Sequence, residues 1–213
     1  MPVPQGQKIY HIVHHDRLPS IIQHGCLLSD KTVVDMKLPG TNIGYSHIKE
    51  KRLVKELQSH LGLTVGGCVP FYFCPRSVML YVIYISNPLL NYQGGQKDIV
   101  HLEFDLANAI EWAQANGKRW AFTTINAATR PCDDFADVDE FHRVRWDAVA
   151  ATQWKGDLRD WKQAEFLVEG QFPWALVERI GIMEDQALAN KVHAALTGTE
   201  QSSLLYYIPS WYY

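Results

Sequence analysis

The 213-residue sequence predicts an α+β domain, and three observations lead to that class. Short apolar segments rich in β-forming residues are interspersed with helical periodicities, without the regular βαβ repeat of a doubly wound sheet. Hydrophobic residues make up 47% of the chain and charged residues 20%, which are the proportions of a globular protein. No linker-like stretch or internal repeat interrupts the chain, so we predict one domain over residues 1–213.

The first half of the chain predicts three strands and two helices. Residues rich in Val, Ile, Tyr and Phe define the strands, at 9–13, 27–28 and 69–73. A helix begins after the potential N-cap Asp16, with Pro19 in its first turn, and ends at Gly25. A second helix is expected over 47–61, whereas 29–45 contains proline and glycines and is expected to be irregular.

The second half predicts further short strands among helices. The strands are placed at 99–104, 120–124, 166–168, 180–183 and 204–208. Asp105 can cap the helix that follows the first of these strands, and another helix is expected from about 185 to 196. Five carboxylates in 133–140 predict an acidic loop, and a helix is expected around 141–152. Residues 77–85 are apolar on nearly every side, so periodicity does not separate a strand from a buried helix there.

Charge and apolar patterning exclude several classes of protein. The 20 basic and 23 acidic residues give a net charge of −3, which argues against a protein that coats nucleic acid indiscriminately but leaves a local basic groove open. The longest apolar run, 78–85, is too short for a membrane span, and the N-terminal residues lack the pattern of a signal peptide. We therefore predict a cytoplasmic protein without a membrane contact. Its four cysteines form no CxxC pair and are expected to be reduced thiols.

Common motifs for metals, nucleophiles and nucleotides are missing from the sequence. Neither HExxH nor CxxC occurs, and the adjacent His14 and His15 are expected to point in different directions, so we predict no metal site. Without GxSxG, Cys68 and Cys74, which flank an apolar strand, are expected to be buried and inert. GxGxxG and Walker motifs are absent as well, so a bound nucleotide would have to be held in another way.

Three local features could carry chemistry. His11 lies inside the first strand, although a core histidine with a satisfied hydrogen bond is the more common case. On the 47–61 helix, Arg52 follows Ile48 by four residues and is therefore expected to point toward the body of the protein, whereas its basic neighbours suit a solvated face. Gln163 and Glu165 are two residues apart at the start of a strand, so both can point to one side; alone, this would also fit an edge strand.

Arginines and aromatic residues are spread through the second half of the chain. Planar guanidinium and indole groups together suit phosphate contact and base stacking, which is how proteins hold single-stranded nucleic acid. The alternative is that the tryptophans are core residues and the arginines are solvated. The set comprises Lys118, Arg119, Trp120, Arg130, Arg143, Arg145, Trp146, Trp154, Lys155, Arg159 and Trp161.

Several longer segments resemble those of a known family. They are Tyr10-His11-Ile12, residues 18–29, residues 43–52, residues 69–81 and residues 163–168. Together they resemble the DarT family, the DNA ADP-ribosyltransferase toxins of DarT–DarG toxin–antitoxin systems, and the likeness extends to the Trp-Tyr-Tyr tail at 211–213. The block Pro-Phe-Tyr-Phe-Cys-Pro-Arg-Ser-Val-Met-Leu-Tyr is the most specific part. Val78 departs from the family pattern, in which proline is expected, at a position without a chemical role.

The resemblance implies an ADP-ribosyltransferase fold, with a split mixed β-sheet around an NAD cleft and peripheral helices. It implies transfer of ADP-ribose from NAD+, used as co-substrate without a metal, to a base in single-stranded DNA. Thymine N3 is the expected acceptor, although the residues alone leave guanine open. It also implies a macrodomain antitoxin, DarG, as the partner of a monomeric toxin.

The resemblance also assigns expected roles to residues of this sequence. Glu165 and Arg52 are expected to be catalytic. The residues expected to bind NAD+ are His11, Ile12, Ser20, Gly25, Leu28, Tyr45, Arg52, Phe71, Tyr72 and Met79. The residues expected to contact DNA are His47, Lys49, Arg76, Arg119, Trp120, Arg143, Arg145, Trp154, Arg159 and Gln163. Three alternatives stay open: an RNA or protein acceptor, hydrolysis of NAD+ alone, and a non-catalytic single-strand-binding module.

Overall fold

Ten strands and eight α-helices form within residues 3–213, the part of the chain that the computed structural model describes. The strands are β1 (Lys8–His14), β2 (Cys26–Leu28), β3 (Cys68–Tyr72), β4 (Ile99–Asp105), β5 (Trp120–Thr123), β6 (Asp134–Phe135), β7 (Glu165–Glu169), β8 (Gln171–Pro173), β9 (Arg179–Ile182) and β10 (Leu205–Tyr207). The helices are α1 (Leu18–His24), α2 (Asp30–Asp35), α3 (Ser46–Val54), α4 (Val78–Tyr84), α5 (Leu106–Ala115), α6 (Trp146–Ala150), α7 (Leu158–Trp161) and α8 (Gln186–Leu196). The α+β class is thus confirmed.

Eight of the strands form one mixed sheet in the order β10-β9-β4-β1-β3-β7-β5-β6, and β2 and β8 form a separate pair. Only β9 and β10 run parallel among these pairs. β1 pairs with β4 from Lys8 to His14, but it joins β3 only where Tyr10 lies opposite Tyr72. The sheet is therefore split between β1 and β3, and this split positions the site described below.

Aromatic side chains fill much of the core. Phe71 is fully buried, and its ring contacts those of Phe104 and Phe172 edge-on. Trp120 is also buried, and its ring stacks on that of Phe141. Aromatic pairs of this kind contribute roughly 0.5–1.5 kcal/mol beyond the area that they bury. These two residues, expected to contact NAD+ and DNA respectively, serve instead as packing residues.

The first helices differ from the prediction in detail. Asp16 does not cap α1; it lies in a 3₁₀ turn, His15–Arg17, and its carboxylate accepts hydrogen bonds from Thr41. Gly25 ends α1 as predicted, with a φ of 65° that a residue with a side chain rarely adopts. The predicted irregular segment contains α2, whose N-terminus is capped by the hydroxyl of Ser29.

In three further segments the structure differs from the sequence-based expectation or decides between two alternatives. α3 ends at Val54 rather than near residue 61, because the chain extends at Lys55. The ambiguous segment is the buried helix α4, capped by the hydroxyl of Ser77. In place of one helix around 141–152, the chain forms a 3₁₀ helix (Val138–Arg143) and then the short α6. Within residues 3–213, no helix is both long and apolar enough to cross a membrane.

Candidate active site

A pocket of about 260 Å³ lies between the two halves of the sheet, lined by residues of both β1 and β3. His11 enters it from β1, Tyr72 from β3 and Glu165 from the first position of β7. Register places these strands side by side, because Tyr72 lies opposite Tyr10 on one side and opposite Glu165 on the other. Three residues far apart in sequence therefore meet at the split of the sheet.

Glu165 and Arg52 form a buried ion pair in this pocket. Arg52 Nη1 lies 3.1 Å from Glu165 Oε1 and 2.9 Å from Oε2, and the two side chains are only 9% and 2% exposed. Oε1 also accepts a hydrogen bond from the backbone N–H of Ala127 at 3.0 Å, and the Glu165 N–H donates to the Thr123 hydroxyl. The bonds from Arg52 and Ala127 hold the carboxylate in one orientation, and the bond to Thr123 holds the backbone of Glu165.

The neighbouring charges keep Arg52 protonated. Burial alone would lower the pKa of Arg52, but the carboxylates of Glu165 and Asp30 outweigh it and raise the pKa above its ordinary value. Asp30 itself bonds Lys49 at 2.7 Å; burial opposes its charge, yet Lys49 and then Arg52 hold its pKa below the usual range. Arg52 Nη2 is buried without a hydrogen-bond partner in residues 3–213, which leaves one guanidinium donor available to a ligand.

His11 is neutral and has one defined tautomer. Burial lowers its pKa to about 4. Its Nδ1 lies 2.7 Å from the carbonyl oxygen of Pro70, and because a carbonyl only accepts, Nδ1 carries the hydrogen. Nε2 is then an acceptor, suited to a hydroxyl group of a ligand. Burial likewise raises the pKa of the Tyr72 hydroxyl, so that this group stays protonated.

Most residues expected to bind NAD+ line this pocket or a smaller one beside it. Ile12, Tyr45 and Met79 line the first pocket. Ser20 and Leu28 line the second, and His11, Ile12, Ile43, Asp30 and Lys49 line both. Phe71 and Gly25 line neither of these two pockets, because Phe71 lies in the core and Gly25 ends a helix.

Three residues expected to contact DNA lie at the pocket. Arg159 and Gln163 line it on the side of α7, and Gln163 Oε1 lies 3.4 Å from Asn126 Nδ2. Lys49 lies inside it, bonded to Asp30. His47 is exposed at the start of α3, next to Tyr45.

The remaining residues of that set are engaged elsewhere. Three arginines form ion pairs: Arg119 with Glu169, Arg143 with Glu140 and Arg145 with Asp147. The guanidinium of Arg76 lies 4.3 Å above the ring of Tyr213, and Trp154 packs edge-on against Tyr81. Two of the ion pairs join residues two or three positions apart. Arg119 and Glu169 are 50 residues apart and Arg76 and Tyr213 are 137 apart, so sequence spacing gives no sign of those partners.

Two polar residues that line the pocket were not anticipated. Asp30 follows Ser29 at the start of the unpredicted helix α2, and the pattern Ser-Asp-Lys-Thr is a capping signal that could have revealed it. Asn126 comes from the loop after β5, and no local signal distinguishes it.

The expectation that His14 and His15 point apart was wrong. Their rings lie 4.6 Å apart, and with Asp98 they form a group that could hold a metal ion. The alternation of a strand does not extend to this pair, because β1 ends at His14 and a 3₁₀ turn begins at His15. Lys191 Nζ already lies 3.3 Å from Asp98 and 3.4 Å from His15, a cation where a metal would have to bind.

Comparison with known proteins agrees with this geometry. The model of the family described as "ssDNA thymidine ADP-ribosyltransferase, DarT" matches residues 10–213. A DNA ADP-ribosyl transferase of Thermus sp. (strain 2.9) is 38% identical over 181 residues, which cover 84% of this chain and 82% of the relative. One of Thermus aquaticus is 36% identical over 219 residues, which cover 100% of this chain and 90% of the relative.

Solved structures show the same fold. Thermus sp. 2.9 DarT in complex with ADP-ribosylated ssDNA superposes with a TM-score of 0.85 at 33% identity, covering 100% of this chain and 99% of that chain. The complex of the same protein with NAD+ gives 0.80 at 31% identity, with 99% of each chain covered. The split sheet and its pocket thus define the chain as an ADP-ribosyltransferase.

Within that class, the family is also defined. The family model spans all but the first nine residues, and the relatives match over most of both chains. The chain belongs to the DarT family of single-stranded-DNA thymidine ADP-ribosyltransferases.

Proposed function

We propose that this chain transfers ADP-ribose from NAD+ to thymine in single-stranded DNA. In the reaction, the bond between ribose C1′ and the nicotinamide nitrogen breaks, and its electron pair leaves with nicotinamide. A bond forms between C1′ and thymine N3, which loses its proton to solvent. The observation that carries the proposal is the buried Arg52–Glu165 pair, placed in one pocket with His11 and Gln163.

The pocket residues fit NAD+ as a ligand. Two polar atoms of the pocket suit this ligand: the buried Nη2 of Arg52, which has no hydrogen-bond partner within residues 3–213, and the Nε2 of His11, whose Nδ1–H is held by Pro70. One can donate to a phosphate or carbonyl oxygen, and the other can accept from a ribose hydroxyl. The adjoining second pocket, which contains Ser20 and Leu28, extends the space available to a dinucleotide.

Glu165 supplies fixed negative charge. Bound NAD+ brings an N-glycosidic bond whose cleavage places positive charge on the ribose, as in glycoside hydrolysis. Because Glu165 is held by Arg52 and by the Ala127 N–H, its charge is oriented before the reaction begins and costs no reorganisation. Such preorganised charge contributes roughly several kcal/mol to lowering the barrier.

Arg52 acts as a fixed cation rather than as a base. A guanidinium with a raised pKa does not accept a proton, but it favours loss of the thymine N3 proton by stabilising the resulting anion. Gln163, two residues before Glu165, lines the same side of the pocket as Arg159 and is the proposed contact to the acceptor base. Tyr45 and Met79 are the proposed walls around NAD+.

DNA as the acceptor is supported by the relatives, which are named DNA ADP-ribosyl transferases, and by the DarT structure solved with ADP-ribosylated ssDNA. We further propose that the chain is a cytoplasmic, monomeric toxin with one catalytic domain over residues 1–213. Its proposed partner is a macrodomain antitoxin of the DarG type. An antitoxin of this kind would remove ADP-ribose from the modified base.

Mass spectrometry of short oligonucleotides after incubation with NAD+ tests the proposal. We expect a mass increase of one ADP-ribose on thymine-containing DNA, with equimolar release of nicotinamide. Oligonucleotides that each vary one base, together with matched RNA, identify the acceptor, because the 2′-hydroxyl changes the shape that the site must accept. Nicotinamide release without any change in DNA mass would indicate NAD+ hydrolysis instead.

A further inference from the structure

A basic groove continues from the pocket along the outer side of α3. We call it the α3 groove. Its lining consists of His47, Ile48, Lys51, Val54, Lys55, Asn126, Ala128, Thr129, Arg130 and Gln163. Three of these residues carry a fixed positive charge, and none is a carboxylate.

The helix itself creates one wall of this groove. His47 and Lys51 are four residues apart on α3, so they lie on the same face, and Lys55 follows four residues later, where the helix has ended. Arg52 is adjacent in sequence but lies on the buried face. One short helix thus presents the buried Arg52 to the pocket and the exposed His47 and Lys51 to the groove.

The cations of the α3 groove form no ion pair within the described residues. Lys51 and Arg130 are exposed, and neither forms an ion pair with any residue of 3–213. Lys55 Nζ lies 2.6 Å from the carbonyl oxygens of both Ala127 and Thr129, which orient it without neutralising it. Three positive charges without an acidic partner, in a chain of net charge −3, create a local field that attracts an anion.

The groove is continuous with the candidate active site on the acceptor side. Ile48, Asn126 and Gln163 line both the groove and the pocket. A polymer whose reacting base lies at Gln163 would therefore run directly into the groove. Val54, at the outer end of α3, is 73% exposed and offers an apolar contact to a sugar or a base.

We propose that the α3 groove holds the phosphate backbone of the single strand next to the acceptor base, with Lys51 and Arg130 as its main phosphate contacts. This inference rests on the proposed function, since it assumes that the acceptor is a polyanion. The free cations and the absence of carboxylates in the lining favour phosphates over an uncharged chain. Lys51 is not among the residues expected from the sequence to contact DNA, and Arg130 belongs only to the broader set of arginines and aromatic residues that suit single-stranded nucleic acid.

The test is binding of a fluorescent thymine-containing oligonucleotide without NAD+, measured by anisotropy over a series of salt concentrations. The variants are Lys51→Ala, Arg130→Ala and the double variant, with Lys97→Ala as the matched control. Lys97 is likewise exposed and has no ion-pair partner in residues 3–213, but it does not line the groove. Because both groove side chains are exposed, the variants are expected to fold, and thermal unfolding verifies this.

We expect the double variant to bind DNA at least about tenfold more weakly at low salt, while Lys97→Ala binds like the parent. The slope of log K against log salt should decrease in magnitude by about 1.4, since each phosphate contact to a single strand contributes about 0.7. An unchanged affinity and slope in the double variant would overturn the inference.

The readout separates this inference from the proposed function. Binding is measured without NAD+. A parent protein that binds DNA but never modifies it would therefore contradict the proposed function without contradicting DNA binding in the α3 groove. If the parent modifies DNA and the double variant does so with an unchanged KM for the oligonucleotide, the α3 groove does not hold the DNA backbone and the proposed function stands. The supporting result is a raised KM with a nearly unchanged rate at saturating DNA.

Discussion

Two regions of this protein contain the same chemical pair, an arginine beside a carboxylate, with opposite consequences. In the pocket, Arg52 and Glu165 are 9% and 2% exposed, and the pair brings two charges into the interior. On the surface, Arg145 and Asp147 are 44% and 50% exposed, and water and salt screen their interaction. A buried pair of this kind costs desolvation, so it is weak evidence for stability and better evidence for chemistry. On the surface, by contrast, Arg119, Arg143 and Arg145 are each paired with a nearby carboxylate.

Glu165→Gln should have the largest effect. The amide oxygen can still accept from Arg52 and from the Ala127 N–H, so the fold is kept while the negative charge is lost. We expect transfer to DNA to fall by at least about 10³-fold, measured as modified oligonucleotide by mass spectrometry. DNA binding without NAD+ serves as the control and should not change. Near-parental amounts of product would remove Glu165 from the catalytic role.

Arg52→Lys tests whether the pocket needs a guanidinium or only a positive charge. An ammonium can pair with Glu165, but all its donors lie on one nitrogen, so it cannot at the same time place a donor where Arg52 Nη2 lies. We expect transfer to fall roughly 10²-fold with the protein still folded. The same exchange at the surface, Arg145→Lys, is the matched control and should leave transfer unchanged. Equal behaviour of the two variants would show that burial does not distinguish the regions.

Gly66→Ala tests how the position of α3 is maintained. A Cβ at Gly66 would lie 2.8 Å from the backbone of Leu53, the residue after Arg52, so the helix must move. We expect a loss of about 1–3 kcal/mol in the free energy of unfolding, together with reduced transfer. Gly67→Ala is the control, because its Cβ would meet only side chains, at 3.3 Å or more. If both variants behave like the parent, the close approach does not position Arg52.

The pH dependence of stability reports on buried histidines. Burial lowers the pKa of His101 to about 4, as it does for His11. From pH 6.5 down to about 4 the unfolded chain binds more protons than the folded one, so stability falls as pH falls. Each histidine contributes up to about 1.4 kcal/mol per pH unit. Chemical denaturation of His101→Gln should show a shallower dependence than the parent, whereas the exposed His193→Gln should not.

Arg145→Ala should have the smallest effect. It removes one member of an exposed ion pair, and Asp147 remains solvated. We expect unchanged thermal unfolding, unchanged transfer and unchanged oligonucleotide affinity by anisotropy. A clear loss of DNA affinity would show that this arginine exchanges Asp147 for a phosphate, and the surface would then resemble the α3 groove rather than contrast with it.

Local features of the sequence were sufficient for much of the fold. β1, β3, β4, β5 and β7 lie close to their predicted positions, because dense β-branched and aromatic residues allow few other structures. Asp105 caps α5 as predicted. The helix expected from about 185 to 196 is α8, and Asp185 is its N-cap. The 141–152 helix was predicted least accurately, because two short helical segments, which contain the buried Phe141 and Trp146, replace it.

The candidate site also contains residues that the sequence predicted and residues that it did not. The i,i+4 spacing of Ile48 and Arg52 was enough to predict that Arg52 points inward, and it is buried. The resemblance to the DarT family predicted that Glu165 and His11 belong to the same site. Asp30 and Asn126 could not be anticipated in the same way, since one lies in an unpredicted helix and the other in a loop of residues without a pattern.

The sequence by itself determined the class of fold, the positions of most strands along the chain and the identity of the charged groups, because these follow from local composition and spacing. Only the tertiary structure decided which charges are available. Arg119, Arg143 and Arg145 meet carboxylates, whereas Lys51 and Arg130 meet none within residues 3–213. The physical reason is that a charge is neutralised by what lies within a few ångströms of it in space. Glu169 is 50 residues from Arg119 along the chain, and only the folded chain shows which cations have such a partner.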